Sequence, residues 1–437
     1  MKLLNSGLLS EVLSRLRRAF QAPYYGFVQG HAHLSADDFE RMGSLVGIDD
    51  DVLVADFERK FAKLIGSGEA VAFAAARMGF YELMRLNRIG KGDEVILPGA
   101  TCSVMVNAIM RLGATPVFAD IDPATFGSLC EAIAACVTNK TRMIVAQHSF
   151  GIPCDIEPIA DLALKKNIFL LEDCALTLGS EVNGVPVGNF GDAALFSTDH
   201  SKPLNTLIGG LVYTQNTRLA ECLKDAQFRC PELSVERQRA LWKRLLLESR
   251  YCIPARYGKM GLVDIYSFIR RKLFRSEKDF LIEDCGIPST TSYPYPAKLP
   301  AFLAALGLIE IRRWPQVAMD RSVGLEYLLG LFAESQSGAH LPAAYKNKAL
   351  KIIPLRLAWF EPDGARIRSA IKRYIDVSWT WFMAPVIATK EPLENFGYRS
   401  GSCPVSESVG PCMVNIPCNI DREVANKLLL LIRKQDI

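Results

Sequence analysis

Residues Asn167–Gly210 read NIFLLEDCALTLGSEVNGVPVGNFGDAALFSTDHSKPLNTLIGG. The apolar run Ile168–Leu171 has the length and composition of a buried strand, and Glu172 and Asp173 stand where it ends. A second apolar run, Ala193–Phe196, follows a glycine-rich connection and leads into Ser197, Thr198, Asp199, His200, Ser201 and Lys202. An acid and a lysine thus close two strands of what reads as an α/β sheet. Ligands of such sheets bind outside the carboxyl ends of the strands. The pair suits pyridoxal phosphate: the lysine amine links to its aldehyde, and the carboxylate keeps the pyridine nitrogen protonated so that the ring draws electrons from the substrate carbon. Taken alone, the same residues also read as a solvated lysine and a helix-capping aspartate.

The chain on either side repeats one pattern. Upstream, strands are expected at Glu69–Phe73, Glu94–Leu97, Pro116–Ala119 and Arg142–Ala146. Helices are expected near Val52–Leu64, from Arg77 to Arg88, and over Thr101–Arg111, Ser128–Val137 and Asp155–Lys166. This alternation predicts a largely parallel sheet covered on both faces. The turn Ala74-Ala75-Ala76-Arg77 joins a strand to a helix and places backbone N–H groups where a phosphate can bind. Leu211–Thr214 adds a strand, and residues 217–288 read as helices with a basic, solvated face. Further on, two helices are expected between Ala297 and Ser335, broken at Pro315. A strand is expected at Lys351–Leu357, a helix at Ile367–Arg373, and packing aromatics at Val377–Phe382. A strand at Val414–Pro417 and a helix at Asp421–Lys434 close the chain. The division is an N-terminal segment 1–50, a large domain 51–290 and a small C-terminal α+β domain 291–437.

Composition bounds the function. With 437 residues, 49% of them hydrophobic, the chain suffices for a large domain and a smaller one. Lys+Arg 51 against Asp+Glu 47 gives a net charge of +4 and no reason to propose nucleic acid as a partner. Twelve cysteines without a CxxC pair read as core thiols of a reducing cytoplasm, and no structural metal is expected among five histidines. Leu4, Leu8, Leu9, Val12, Leu16 and Phe20 recur at helical spacing, which reads as an amphipathic helix packed on its own protein or on a dimer partner. No run is long enough for a transmembrane segment.

Several motifs, in order, carry a family resemblance. GDEVILPGATCSVMVNAI (92–109), GATPVFADIDPATF (113–126), HSFGIP (148–153), LEDCALTLGS (171–180) and FSTDHSKPLNTLIGG (196–210) resemble the DegT/DnrJ/EryC1/StrS family of PLP-dependent sugar aminotransferases. AFLAALGLIEIRR (301–313) and CPVSESVGPCMVNIPCNI (403–420) resemble its later segments. The resemblance spans about Asp56 to Lys434. It implies fold type I: a large α/β domain with a mostly parallel sheet covered by helices, and a small C-terminal α+β domain.

It also implies roles. Lys202 would carry the cofactor and then move the proton, Asp173 would pair with the pyridine nitrogen, and Ser197 would bind the phosphate. Ala76 and Arg77 stand at the family's phosphate-binding Gly-Thr, and His148 at its H-x-x-G histidine. Cys102 stands where the family places an aromatic over the ring, Leu176 where it has Gln, and Leu207-Ile208 where it has Gly-Glu. The implied reaction takes an amino group, from glutamate in the family, to a nucleotide-linked keto-sugar in a cytoplasmic homodimer. The departures leave open a PLP enzyme for another keto substrate, or a binding or regulatory protein without turnover.

Overall fold

Among the described residues, nine strands precede residue 215, and seven of them make one sheet. The computed structural model describes residues 16, 19–263, 265, 266, 293–333, 338, 340–377, 385–389 and 391–434. In chain order the strands are β1 (Glu69–Phe73), β2 (Glu94–Pro98), β3 (Thr115–Ala119), β4 (Thr141–Gln147), β5 (Phe169–Asp173), β6 (Glu181–Val182), β7 (Val185–Pro186), β8 (Ala193–Ser197) and β9 (Gly210–Thr214). The large sheet runs β1-β9-β8-β5-β4-β2-β3. Its β3-β2-β4-β5-β8 portion is parallel, while β9 lies antiparallel to both β1 and β8. The reversal has a local cause: the connection 198–209 contains no helix to carry the chain across a sheet face, so β9 returns beside β8.

Apolar, β-branched runs make these strands, as burial on both faces demands. Val71, Phe73, Ile96, Ile144, Leu171, Leu195 and Val212 all sit in one core. The helices Ala76–Leu86, Ser103–Arg111, Cys130–Cys136 and Ile156–Lys166 alternate with the strands. Asn167, the first residue of the opening stretch, ends the last of them in the left-handed conformation (φ 53°), which asparagine tolerates.

A buried acid, Glu172, fixes the connection between β5 and β8. One carboxylate oxygen accepts the amides of Phe190 (2.7 Å) and Gly191 (2.8 Å); the other accepts that of Gly188 (2.8 Å) and lies 3.2 Å from His148 Nε2. A second acid, Glu58 on the helix Asp51–Ala62, accepts the Ala72 amide of edge strand β1 (2.7 Å) and the Gln227 side-chain amide (2.9 Å). Burial pushes its carboxyl up to about 7.

The C-terminal part differs from the sequence reading in two places. One helix, Ala301–Phe332, replaces the two expected around Pro315. Proline removes one hydrogen bond, but packing flanks it on both sides: Ile311, Trp314 and Ala318 are buried, and Gly307 abuts the Phe57 ring. The single strand expected at Lys351–Leu357 is two strands, β10 (Leu350–Lys351) and β11 (Leu357–Phe360), which join different sheets. Pro354 cannot donate to a ladder, and its neighbours donate elsewhere: Ile353 to Ser180 Oγ (2.9 Å) and Leu355 to Phe150 O (2.8 Å). β10 pairs with the β6–β7 hairpin, and β11 pairs with β12 (Met413–Ile416). Around β11 and β12 lies a second core in which Phe332 and Trp359 meet edge-on, ring centroids 5.0 Å apart. The helices Ala36–Ser44 and Pro404–Cys412 were not legible. Most of the expected N-terminal amphipathic helix, the stretch from residue 267 within the basic region, and Trp379–Trp381 lie outside the described residues.

Replacing Glu172 by Ala strands one buried and two partly buried amides and a buried imidazole. It should cost about 3–5 kcal/mol in denaturant unfolding, and a loss below about 1 kcal/mol would contradict the role given to this carboxylate. Glu58 binds a proton more tightly when folded than when unfolded, so it makes stability fall as pH rises from about 4.5 to about 7. Glu58→Gln should therefore gain on wild type across that interval by roughly 2–3 kcal/mol. Parallel stability–pH curves for the two proteins would refute this.

Candidate functional site

The loop after β8 is shaped by its own short polar side chains. Thr198 N donates to Gly209 O (3.0 Å), Thr206 N to Thr198 O (2.7 Å) and His200 N to Leu207 O (3.1 Å). Asn205 bridges outward: Oδ1 accepts the Leu207 amide (2.7 Å), and Nδ2 donates to Gln29 O (2.8 Å). Buried Leu207 is held at φ 68°, a conformation that suits the glycine the family resemblance expects there. Within this frame Lys202 donates its amide to Asp199 O (2.9 Å). The Asp199 carboxylate lies 2.9 Å from His200 Nδ1. Burial alone would raise its pKa, but His200, and then Lys202, pull it down to about 2.

Asp173 ends β5, which pairs in parallel with β8, so the two sheet positions implicated by the sequence are neighbours. Its carboxylate is buried and accepts the Ala175 amide (2.9 Å). Burial raises its pKa, against the Ala175 amide and the nearby Lys202 and His148. Cys102, at the start of the helix Ser103–Arg111, is in electrostatic reach of Lys202, Arg77 and Asp173 together; burial pushes its thiol up. The four residues thus converge.

Two helices begin at this place without side-chain caps, one after Ala75 and one after Cys102. Ala76 lies against Gly210, where any Cβ would come within 2.4 Å of the Ala76 nitrogen, so the strand–helix turn packs closely on β9. Arg77 Nη2 donates to the Tyr293 hydroxyl (3.2 Å), and the Ser197 hydroxyl accepts the Asp199 amide (3.4 Å). These groups fit a phosphate at the helix ends and a protonated ring nitrogen against Asp173.

Two residues stand apart from this convergence. Leu176 joins the apolar cluster of Ala100, Phe126 and Phe150, so it offers contact area where a glutamine would offer hydrogen bonds. His148 uses both ring nitrogens within the protein: Nδ1 accepts the Cys154 amide (3.1 Å), which leaves the Nε2 proton for Glu172 (3.2 Å).

Sequence reasoning did not single out Glu172 or Arg321. Glu172 was visible only as the first of two acids ending an apolar run. Arg321 carries a signal in its spacing: Trp314, Ala318, Leu325 and Leu328 occupy the same helix face, and all are buried.

The chain is similar to known proteins in sequence and in fold. The chain is 38% identical to GDP-perosamine synthase of Escherichia coli O157:H7 over 186 residues, 42% of this chain and 50% of that protein. It is 36% identical over 168 residues to UDP-N-acetyl-3-dehydro-alpha-D-glucosamine 3-aminotransferase of Acidithiobacillus ferrooxidans, 38% of this chain and 46% of that protein. The matches therefore span about half the length of these relatives. An aminotransferase from Psychrobacter cryohalolentis shares the fold with a TM-score of 0.70 at 21% identity, over 92% of this chain and 96% of that one. The sequence model that describes the DegT/DnrJ/EryC1/StrS aminotransferase family matches residues 49–425, and the chain belongs to that family.

Proposed function

We propose that this protein is a pyridoxal-phosphate-dependent aminotransferase that moves an amino group from an amino acid, glutamate by the family resemblance, to a nucleotide-linked keto-sugar. The observation that carries this reading is the convergence of Asp173 and Lys202 from adjacent strands, with Arg77 and Cys102 beside them. The two matched relatives, one named for a GDP-linked and one for a UDP-linked sugar, support the acceptor class. Cytoplasmic location and a homodimer complete the reading, on the family resemblance.

When bound, pyridoxal phosphate supplies the carbonyl that carries the amino group and a ring that withdraws electrons from the substrate carbon. Asp173 would face the ring nitrogen: its carboxylate, deprived of water, gains from a cation and holds the proton there. The amides at the start of the helices Ala76–Leu86 and Ser103–Arg111, with Ser197 and Arg77, would hold the phosphate. Lys202, once displaced by substrate, is a primary amine that can take a proton from the substrate carbon and return it elsewhere. Asp199, in the same loop, stays ionised across the neutral range.

Lys202→Ala should fold normally by circular dichroism and lose at least about 10⁴-fold in transamination of keto-sugar nucleotides with glutamate. Activity within tenfold of wild type in that variant would overturn the assignment.

A further inference from the structure

Two histidines and a glutamate meet where the segment ahead of the helix Ala36–Ser44 touches the helix Ala301–Phe332. His31-Ala32-His33 lies in a turn closed by the Leu34 amide, which donates to His31 O (3.2 Å). The turn brings the two imidazole rings together, centroids 5.9 Å apart. Glu310, 279 residues beyond His31, faces both: its Oε1 lies 3.3 Å from His31 Nδ1 and 2.7 Å from His33 Nε2. Each residue thus offers one ligand atom, and the three lie within 4.8 Å of one another. The His31 side chain is 1% exposed and that of Glu310 10%. His31 Nε2 has no hydrogen-bond partner among the described residues. Both ends of the turn are held. Ser35 and Asp38 close a capping box on the helix that follows, and Asn205 of the Lys202 loop donates to Gln29 O (2.8 Å).

Protons alone do not satisfy this cluster. Arg313 Nη1 lies 3.0 Å from His33 Nε2 and 3.1 Å from Glu310 Oε2. A ring nitrogen presents either a lone pair or a proton. With the lone pair, His33 Nε2 accepts from Arg313 but meets the lone pairs of Glu310 Oε1 at 2.7 Å. With the proton, it donates to Glu310 but meets an Arg313 N–H group at 3.0 Å. One close contact is repulsive in either state. A metal ion in place of the guanidinium removes the conflict, because it takes a lone pair from each ring and from the carboxylate. The Arg313 side chain is 40% exposed, so it can turn out to water. Tetrahedral zinc sets its nitrogen and oxygen ligands about 2.0–2.2 Å away, hence roughly 3.3 Å from one another. The His31–Glu310 separation already has that value, and the His33–Glu310 separation needs to open by about 0.6 Å. Two imidazoles and one carboxylate suit zinc, whereas calcium and magnesium favour all-oxygen sets.

We propose that His31, His33 and Glu310 form a zinc site, with water as the fourth ligand, that clips the N-terminal segment to the helix Ala301–Phe332 and, through Gln29 and Asn205, steadies the Lys202 loop. Spacing along the sequence predicts no metal among the histidines because the third ligand comes from a distant helix. The proposal does not depend on the aminotransferase reading. In the test, the full-length protein is stripped with a chelator and dialysed against buffered zinc without pyridoxal phosphate, and zinc per chain is measured by mass spectrometry. Wild type should bind one zinc whose affinity falls at least tenfold in His33→Ala and in Glu310→Gln. Arg313→Ala, which removes the competing cation, should bind zinc at least threefold more tightly than wild type. Melting temperatures without metal establish that the variants fold. Saturating zinc should raise the wild-type value by about 2 °C or more and leave that of His33→Ala unmoved. Cobalt in place of zinc should give the visible bands of nitrogen and oxygen ligation without thiolate charge-transfer absorption.

Failure of wild type to bind zinc, or equal affinity in wild type and the folded His33→Ala and Glu310→Gln proteins, would overturn the proposal. So would thiolate absorption with cobalt, which would give the ion to cysteines. Should both ligand variants fail to fold, Arg313→Ala decides: zinc bound no more tightly than by wild type would show that the guanidinium completes the cluster and that no metal replaces it.

Discussion

The carboxylate of Glu172 holds the site's two halves in register. Asp173 can face a ligand only if β5 ends where it does, and Lys202 can reach the same place only if β8 emerges beside it. Between the two strands the chain runs out through the β6–β7 hairpin and back. Glu172 closes that excursion by accepting three amides from its returning end, and it takes His148 from the end of β4 as a fourth partner. A buried carboxylate without partners would be expensive; one with four hydrogen-bond partners gives a single answer for the path of the loop. Adjacent side chains of a strand point to opposite faces, so Glu172 and Asp173 divide the labour, one inward to the scaffold and one toward the site.

The sheet was legible because its physics is local. Each strand is a short apolar run bounded by turn residues, and the order of strands and helices specifies the architecture. The positions of Asp173 and Lys202 were readable for the same reason, since Asp173 ends such a run and Lys202 follows one in the loop after β8; their roles are part of the proposal. The long helix was not: the penalty at Pro315 is a local quantity, whereas the packing of Ile311, Trp314 and Ala318 that outweighs it comes from distant segments. The strand expected at Lys351–Leu357 failed in the same way, because Ser180 and Phe150 claim the amides that a ladder would have used. Arg321 lay on a helix face whose other members are apolar, and the carbonyl it donates to, Pro203 O, belongs to a segment distant in sequence.

The departures from the family's residues sort by position. At the proposed phosphate end, Ala75-Ala76-Arg77 retains an uncapped helix start and adds a guanidinium, so backbone donors remain and charge increases. In the lysine loop, Leu207 keeps the left-handed backbone that a glycine adopts freely, at a strain of about 1–3 kcal/mol, with its amide tied to Asn205. At Leu176 polar contact gives way to an apolar cluster. None of these replaces Asp173 or Lys202, the pair that the proposed chemistry cannot spare.

The measurement that bears most directly on that pairing is an absorbance spectrum of the purified protein with pyridoxal phosphate, before and after glutamate, with Lys202→Ala alongside. A cofactor band that requires Lys202, and that glutamate converts to the absorbance of the amine form, is the predicted result. A spectrum equal to free pyridoxal phosphate plus protein, the same in wild type and Lys202→Ala and indifferent to glutamate, would contradict it.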